Sequence, residues 1–395
     1  MRPHKIALIA GSASLIAFTG LAVAQRQQAS SPPKARYAMD VGTVTGLAAM
    51  GGGMGGAMSM MFGGGGGKEA RELRLRLGST LSPTKGVAQA DHFLLPAAKL
   101  GKSVPLLTPE RVEGEGTPEF QRPKGRLLLF WGCGAKAPKG QPVIIDFAKI
   151  AAGQMPPNLY SARIPTDRGP TQSNSRTYGE WPNKKSAKPP APNSSLLGEH
   201  RIAANYAPEI KFALSQDYMP GLTGRANDMP GGAIGLTWNS VTGATGYHAW
   251  LMGAKMDGGN APRDMVWWSS ASAREFGGGL WDWLPPETVR RLITEKIIMP
   301  PSQTSCTVPA EVKAAAPDFI MGNLYAYGPE ANFAYPPRPA NPATPWNPEW
   351  TARVRYRSHT MWMIGGPMAG NTDDGTKSAP CKPSIFGAVL GKACR

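Results

Sequence analysis

The sequence predicts a mainly β protein, built from β-sandwich-like domains with one inserted helix and long Gly/Pro-rich loops. Three observations carry this. Leu73, Leu75 and Leu77 alternate with Glu72, Arg74 and Arg76, the period of a half-buried strand. The 395 residues include 48 Gly and 39 Pro, which cut the chain into short elements. A helical stripe stands out at one place, Val289, Leu292, Ile293 and Ile297, with Pro285-Pro286 ahead and Pro300-Pro301 behind.

Taken in order, residues 1–24 read as a secretory signal. Arg2, His4 and Lys5 precede an uncharged, mostly apolar run, and Ala22-Val23-Ala24 supplies a small-x-small cleavage pattern. Its removal takes away Arg2 and Lys5, so the net charge falls from +16 to +14. A strongly basic exported chain suits anionic envelope polymers, lipid headgroups or another envelope protein, and export argues against nucleic acid. The expected location is the periplasm, the outer membrane or the medium.

Residues 25–67 read as a flexible or membrane-associated segment. Val41 to Gly67 carries no charge and holds 12 Gly and 5 Met. Three readings stay open: a flexible linker, a glycine-zipper helix that packs closely against membrane or oligomer partners, and a soft Cu(I) site from Met50, Met54, Met58, Met60 and Met61. The Gly51-x-Gly53-x-x-Gly56 match to a dinucleotide fingerprint is set aside, because no strand of β-branched residues feeds it.

A first β domain is expected over 68–153, with strands at Val104–Leu107, Arg126–Trp131 and Pro142–Phe147 beside the Leu73–Leu77 alternation. Residues 154–195, rich in Pro, Ser and Lys, read as a linker. A second β-sandwich-like domain is expected over 196–366. It begins with Ile234–Trp238 and a Tyr247–Leu251 strand joined as a hairpin. It continues through Met265–Ser269, the helix 287–298 and Leu324–Tyr335, and ends with a strand over Arg353–Ile364. Residues 367–395 form a tail.

Four cysteines, Cys133, Cys306, Cys381 and Cys394, permit two disulfides in an exported chain. The local pair Cys381–Cys394 is favoured, which leaves Cys133 with Cys306. The histidines of the mature chain (His92, His200, His248 and His359) form no HxH or HExxH, and no CxxC, GxSxG or Walker loop occurs. No cofactor and no metal site is therefore expected, and the motifs weigh against an enzyme.

Two groups remain as candidate ligand-binding residues. Arg353, Arg355 and Arg357 fall on one face of a strand, where guanidinium groups suit phosphate or carboxylate. Trp267, Trp268 and Trp281 lie close in sequence and could stack on sugar rings, with Asp282 to bond a sugar hydroxyl. The leading expectation is an envelope protein with a structural or binding role. The alternatives are a carbohydrate-processing hydrolase with a Trp-lined cleft and an oligomeric membrane-associated protein using the Gly/Met tract.

Leu236-x-Trp238 followed by Gly243-Ala244-x-Gly246-Tyr247 resembles the second and third strands of a fibronectin type III module, in which the Trp and Tyr are core residues. The wider layout, with its signal, Gly/Met tract, ARELRLRLGSTLSP, GRLLLFWGCG and GATGY segments, resembles uncharacterised exported proteins of sphingomonad-type alphaproteobacteria. That second resemblance implies no known activity.

Overall fold

The computed structural model describes residues 31–50, 69–110, 125–155, 164, 169–257, 262–341 and 343–364. The signal, the Gly/Met tract beyond Met50, the tail, Cys381 and Cys394 lie outside the described residues. The strands are β1 Ala35–Gly46, β2 Ala70–Ser79, β3 Ala90–Phe93, β4 Ser103–Pro105, β5 Arg126–Trp131, β6 Val143–Asp146, β7 Thr177–Trp181, β8 Gly198–Ala204, β9 Ala207–Leu214, β10 Gly224–Asp228, β11 Ile234–Trp238, β12 Gly246–Met256, β13 Pro262–Ser269, β14 Ser305–Val308, β15 Phe319–Tyr335 and β16 Trp350–Ile364. The α-helices are α1 Phe147–Ala151, α2 Pro286–Thr294 and α3 Ala310–Ala315. The fold is mainly β, as the period-two pattern requires.

Nine strands form one sheet in the order β6-β5-β13-β12-β15-β16-β1-β2-β7. Two smaller sheets, β10-β11-β14 and β4-β3-β8-β9, complete the set. One apolar core joins all three: Tyr37, Leu75, Tyr247 and Tyr356 of the large sheet, Leu236 and Val308 of the first small sheet, and Ile202, Ile210 and Phe212 of the second. Alternate residues of the large sheet face the other way. There Leu129, Trp250, Trp267, Tyr325 and Tyr327 pack with Leu280, Val289, Leu292, Ile297 and Ile298. Residues 276–298, including α2, therefore cover the second face of the large sheet, giving a sandwich with a helical segment laid over one side.

Four expectations are corrected here. First, Ala35–Gly46 is a buried central strand and not a lead-in or linker: β1 pairs parallel with β16 and antiparallel with β2. Tyr37, Met39 and Val41 face the main core, and Val41, Thr43, Val44 and Thr45 are β-branched residues that suit a pleated, buried surface. Second, β11 and β12 are not a hairpin. They belong to different sheets, and the turn between them crosses the sandwich, so Trp238 meets Tyr247 across the layers with ring centres 5.6 Å apart and planes tilted by 57°. Third, α2 stops at Thr294, because Lys296 adopts a left-handed φ of 57° that a helix cannot continue through. Fourth, the segment read as a linker contains β7, an edge strand of the large sheet. Strand pairing also runs across the expected division, since β5 of the earlier region lies beside β13 of the later one.

Cys133 and Cys306 form a disulfide that joins the turn after β5, in the large sheet, to β14 in the three-stranded sheet. A backbone bond from Gly134 N to Thr307 O, 2.8 Å, runs beside it.

Candidate functional site

The second face of the large sheet carries most of the polar chemistry. Asp40 on β1, Arg74 and Arg76 on β2, and Arg355 and Arg357 on β16 are placed there by register, because Asp40 stands opposite both Arg74 and Arg355. Asp40 accepts from Arg355 Nε and from an Arg76 terminal nitrogen, each at 2.7 Å, and the Asp40 and Arg355 side chains are both only 3% exposed. Arg357 pairs with Glu72 at 3.1 Å, and its guanidinium lies 3.5 Å from the centre of the Trp283 ring.

These arginines hold down the chain segment that crosses above them. Arg355 Nη1 donates to Trp283 O, and Arg357 Nη1 donates to Trp281 O. Trp283 Nε1 donates to Val41 O at 3.0 Å. Gly42 leaves room for this approach: a Cβ there would lie 3.6 Å from the Trp283 ring and 3.0 Å from Glu72. The expectation of an exposed cationic face at Arg353, Arg355 and Arg357 is therefore corrected. Arg353 is half-buried, and Arg355 and Arg357 are buried charges whose partners come from β1, β2 and residues 281–283. Burying a guanidinium is tolerable only with such partners. Asp40→Asn thus lowers stability by about 3 kcal/mol by leaving Arg355 uncompensated. Glu349→Gln, in an exposed pair with Lys34, changes it by less than about 0.5 kcal/mol. Urea midpoints of the two variants give the comparison.

The tryptophans divide between the faces. Trp268 is fully buried on the main-core side, with Nε1 donating to Gly132 O at 2.9 Å. It cannot share a cleft with Trp267, because consecutive strand residues point to opposite faces. Trp267 and Trp250 are buried on the second face, and Trp281 stacks on both, with ring centres 5.7 and 5.1 Å away. Trp281 remains 38% exposed.

Beside this stack opens a cleft of about 540 Å³ lined by Asp40, Arg74, Arg76, Glu180, Asp282 and Trp283, with Trp181 and Pro182 at the β7 edge. Asp282 lies 3.6 Å from Arg355, and Glu180 accepts from the Tyr178 hydroxyl at 2.6 Å. Arg74 is the most open cation here, its side chain 59% exposed, with Glu72 at 3.4 Å. The cleft therefore offers carboxylate acceptors and guanidinium donors together, next to an open indole.

Sequence reasoning also missed a buried hydrogen-bond chain. His92 and His200 are 108 residues apart, yet their rings bond, Nε2 to Nδ1, at 2.9 Å. Tyr37 Oη lies 2.6 Å from His92 Nδ1, and His200 Nε2 lies 2.7 Å from Leu196 O. The carbonyl can only accept, so His200 Nε2 carries its proton. It follows that His92 Nε2–H donates to His200 Nδ1, and Tyr37 O–H donates to His92 Nδ1. Both rings are neutral: burial pushes both pKa values down, and for His92 the neighbouring His200 adds to it. Burial lowers His248 to about 3. Burial, with nearby Arg357, likewise brings His359 to about 3. Neither the short strand β3 that carries His92 nor its partner β8 was expected from the sequence.

Among the described residues, no group of three or more His, Cys, Asp and Glu is placed to hold a metal ion. No helix among them is long and apolar enough to cross a membrane. No protein-family model matches the chain, and neither a curated protein nor a solved structure matches it significantly.

Proposed function

We propose that this is an exported envelope protein with a binding role, and that it holds a sugar-containing envelope polymer along residues 281–283. The observation that carries this reading is the exposed Trp281, stacked on Trp267 and Trp250, beside a cleft that mixes Asp282 and Glu180 with Arg74. An indole supported from behind offers a flat apolar face to a sugar ring, while carboxylates and guanidinium exchange hydrogen bonds with hydroxyl, amide or acidic substituents. Each carboxylate of the cleft already has a partner, Arg76 and Arg355 on Asp40, Arg355 near Asp282, and the Tyr178 hydroxyl on Glu180. That supports recognition over acid–base chemistry. The net basic charge would raise the encounter rate with anionic envelope material.

Isothermal titration with a soluble peptidoglycan disaccharide-peptide and with lipopolysaccharide-derived oligosaccharide tests this, with anionic liposomes as a comparison. Trp281→Ala is expected to weaken glycan binding by about 1 kcal/mol, or about fivefold. Trp281→Phe keeps a ring in place and loses less. Binding of liposomes but neither glycan, or equal glycan affinity in Trp281→Ala, overturns the reading.

A further inference from the structure

Five of the chain's 18 methionines stand together on the second face of the large sheet: Met252, Met265, Met321, Met361 and Met363. Register places three of them in one row across neighbouring strands. Met252 on β12 is directly opposite Met321 on β15, and Met321 is directly opposite Met363 on β16. Met361 stands opposite Asn323, one step along the same face, and Met265 stands opposite Ala254, one step beyond Met252. All five are half-buried, so the row is neither sealed in the core nor fully in solvent.

An apolar cover for a strand surface is ordinarily made with Val, Ile or aromatic residues, which suit the pleat. Here the positions carry an unbranched thioether instead. Residues directly opposite on neighbouring strands have Cβ atoms about 4.5–5.5 Å apart. Rotation about the Cα–Cβ and Cβ–Cγ bonds swings each unbranched thioether sulfur over a range that lets neighbouring sulfurs meet at one ion. Trp267 continues the row on the far side of Met252. Its indole packs against Trp281, so the row ends at the aromatic cluster whose fluorescence can report on it.

From this juxtaposition we propose that Met252, Met321 and Met363 bind a soft monovalent metal ion, Cu(I) or its analogue Ag(I), with Met361 as a further donor at the rim. Thioether sulfur selects Cu(I) over the hard divalent cations. A singly charged ion needs no carboxylate in its shell, which fits a site built without Asp, Glu, His or Cys. The ion sits on the same sheet face as the glycan reading's Trp281, but the two rest on different residues and fail independently.

The test is titration of the full chain with Ag(I), and with Cu(I) against a chromophoric Cu(I) chelator, read by the fluorescence of the adjoining tryptophans. Met252→Leu/Met321→Leu/Met363→Leu keeps volume and apolarity and is expected to lose the site with an unchanged circular dichroism spectrum. Met54→Leu/Met58→Leu/Met60→Leu/Met61→Leu, in the Gly/Met tract, is expected to retain it. Independently of any folding defect in the triple variant, ¹³C-methyl methionine spectra of the wild type should show Ag(I)-dependent shifts at Met252, Met321 and Met363. Absence of binding by the wild type, unshifted methyl signals for these three, or loss of binding only in the Gly/Met-tract variant overturns the proposal.

Discussion

Replacing Cys133 and Cys306 by serine lowers the free energy of unfolding by about 5 kcal/mol. The bridge spans 173 residues of sequence. Closing a loop of that length removes enough chain entropy from the unfolded state to be worth about 5 kcal/mol at 25 °C. The bridge also ties two layers of the sandwich. It anchors the turn after β5, in the nine-stranded sheet, to β14, in the three-stranded sheet. Cys306 is 5% exposed and packs in the main core, so serine there adds a modest polar burial cost of its own. Urea unfolding of the oxidised wild type and the double variant checks the prediction. The variant should also show a steeper denaturant dependence, because its unfolded chain expands further. A loss below about 1 kcal/mol would mean that the unfolded chain is already compact without the bridge.

Acidification from pH 6.5 to 5.5 removes about 3 kcal/mol of stability. The cause is three histidines, His92, His248 and His359, whose pKa values burial pushes far down, with His200 lowered in the same direction. A histidine of ordinary pKa near 6.5 takes up a proton in the unfolded chain as the pH falls. The folded rings refuse it, His248 and His359 until about pH 3. The unfolded state then binds more protons than the native state, so stability falls with falling pH. Each of His92, His248 and His359 contributes about 1 kcal/mol over that unit of pH, and the loss continues toward the lowered folded values. Above pH 7 the effect is absent, because the rings are neutral in both states. Urea midpoints at pH 7.5, 6.5 and 5.5 measure it, and a flat profile would rule out neutral, buried imidazoles. His248→Asn should remove about a third of the slope if the variant folds, since one of the three strongly lowered rings is gone.

Much of the architecture was legible from residue alternation. Leu73/Leu75/Leu77, Ile234–Trp238 and Arg353–Ile364 became strands, because period two follows from the geometry of an extended chain and needs no partner to be visible, and the continuous apolar run Arg126–Trp131 became a strand buried between neighbours. The strand over 35–46 was hidden by its composition. Its glycines merge with the Gly/Met tract, and its neighbours are supplied by β2 and β16. The candidate site was half legible: Trp281 kept an exposed position and Asp282 a partly exposed one, whereas Trp267, Trp268, Arg355 and Arg357 are buried.

Arg355 shows where sequence stops being informative. Alternation placed Arg353, Arg355 and Arg357 on one face, and that held. What covers the face was set by Asp40, 315 positions away, and by residues 281–283 arriving from above. The same holds for His92 and His200, ordinary residues on two strands until pairing of β3 with β8 sets their rings in contact. The sequence by itself determined a mainly β chain, its helix start at the proline pair, and a cysteine set that includes the bridged pair. The tertiary structure alone decided which faces are covered, which charges are buried and which methionines stand in a row. Side-chain direction is a local property of the backbone, while burial depends on strands that meet from far apart in the chain.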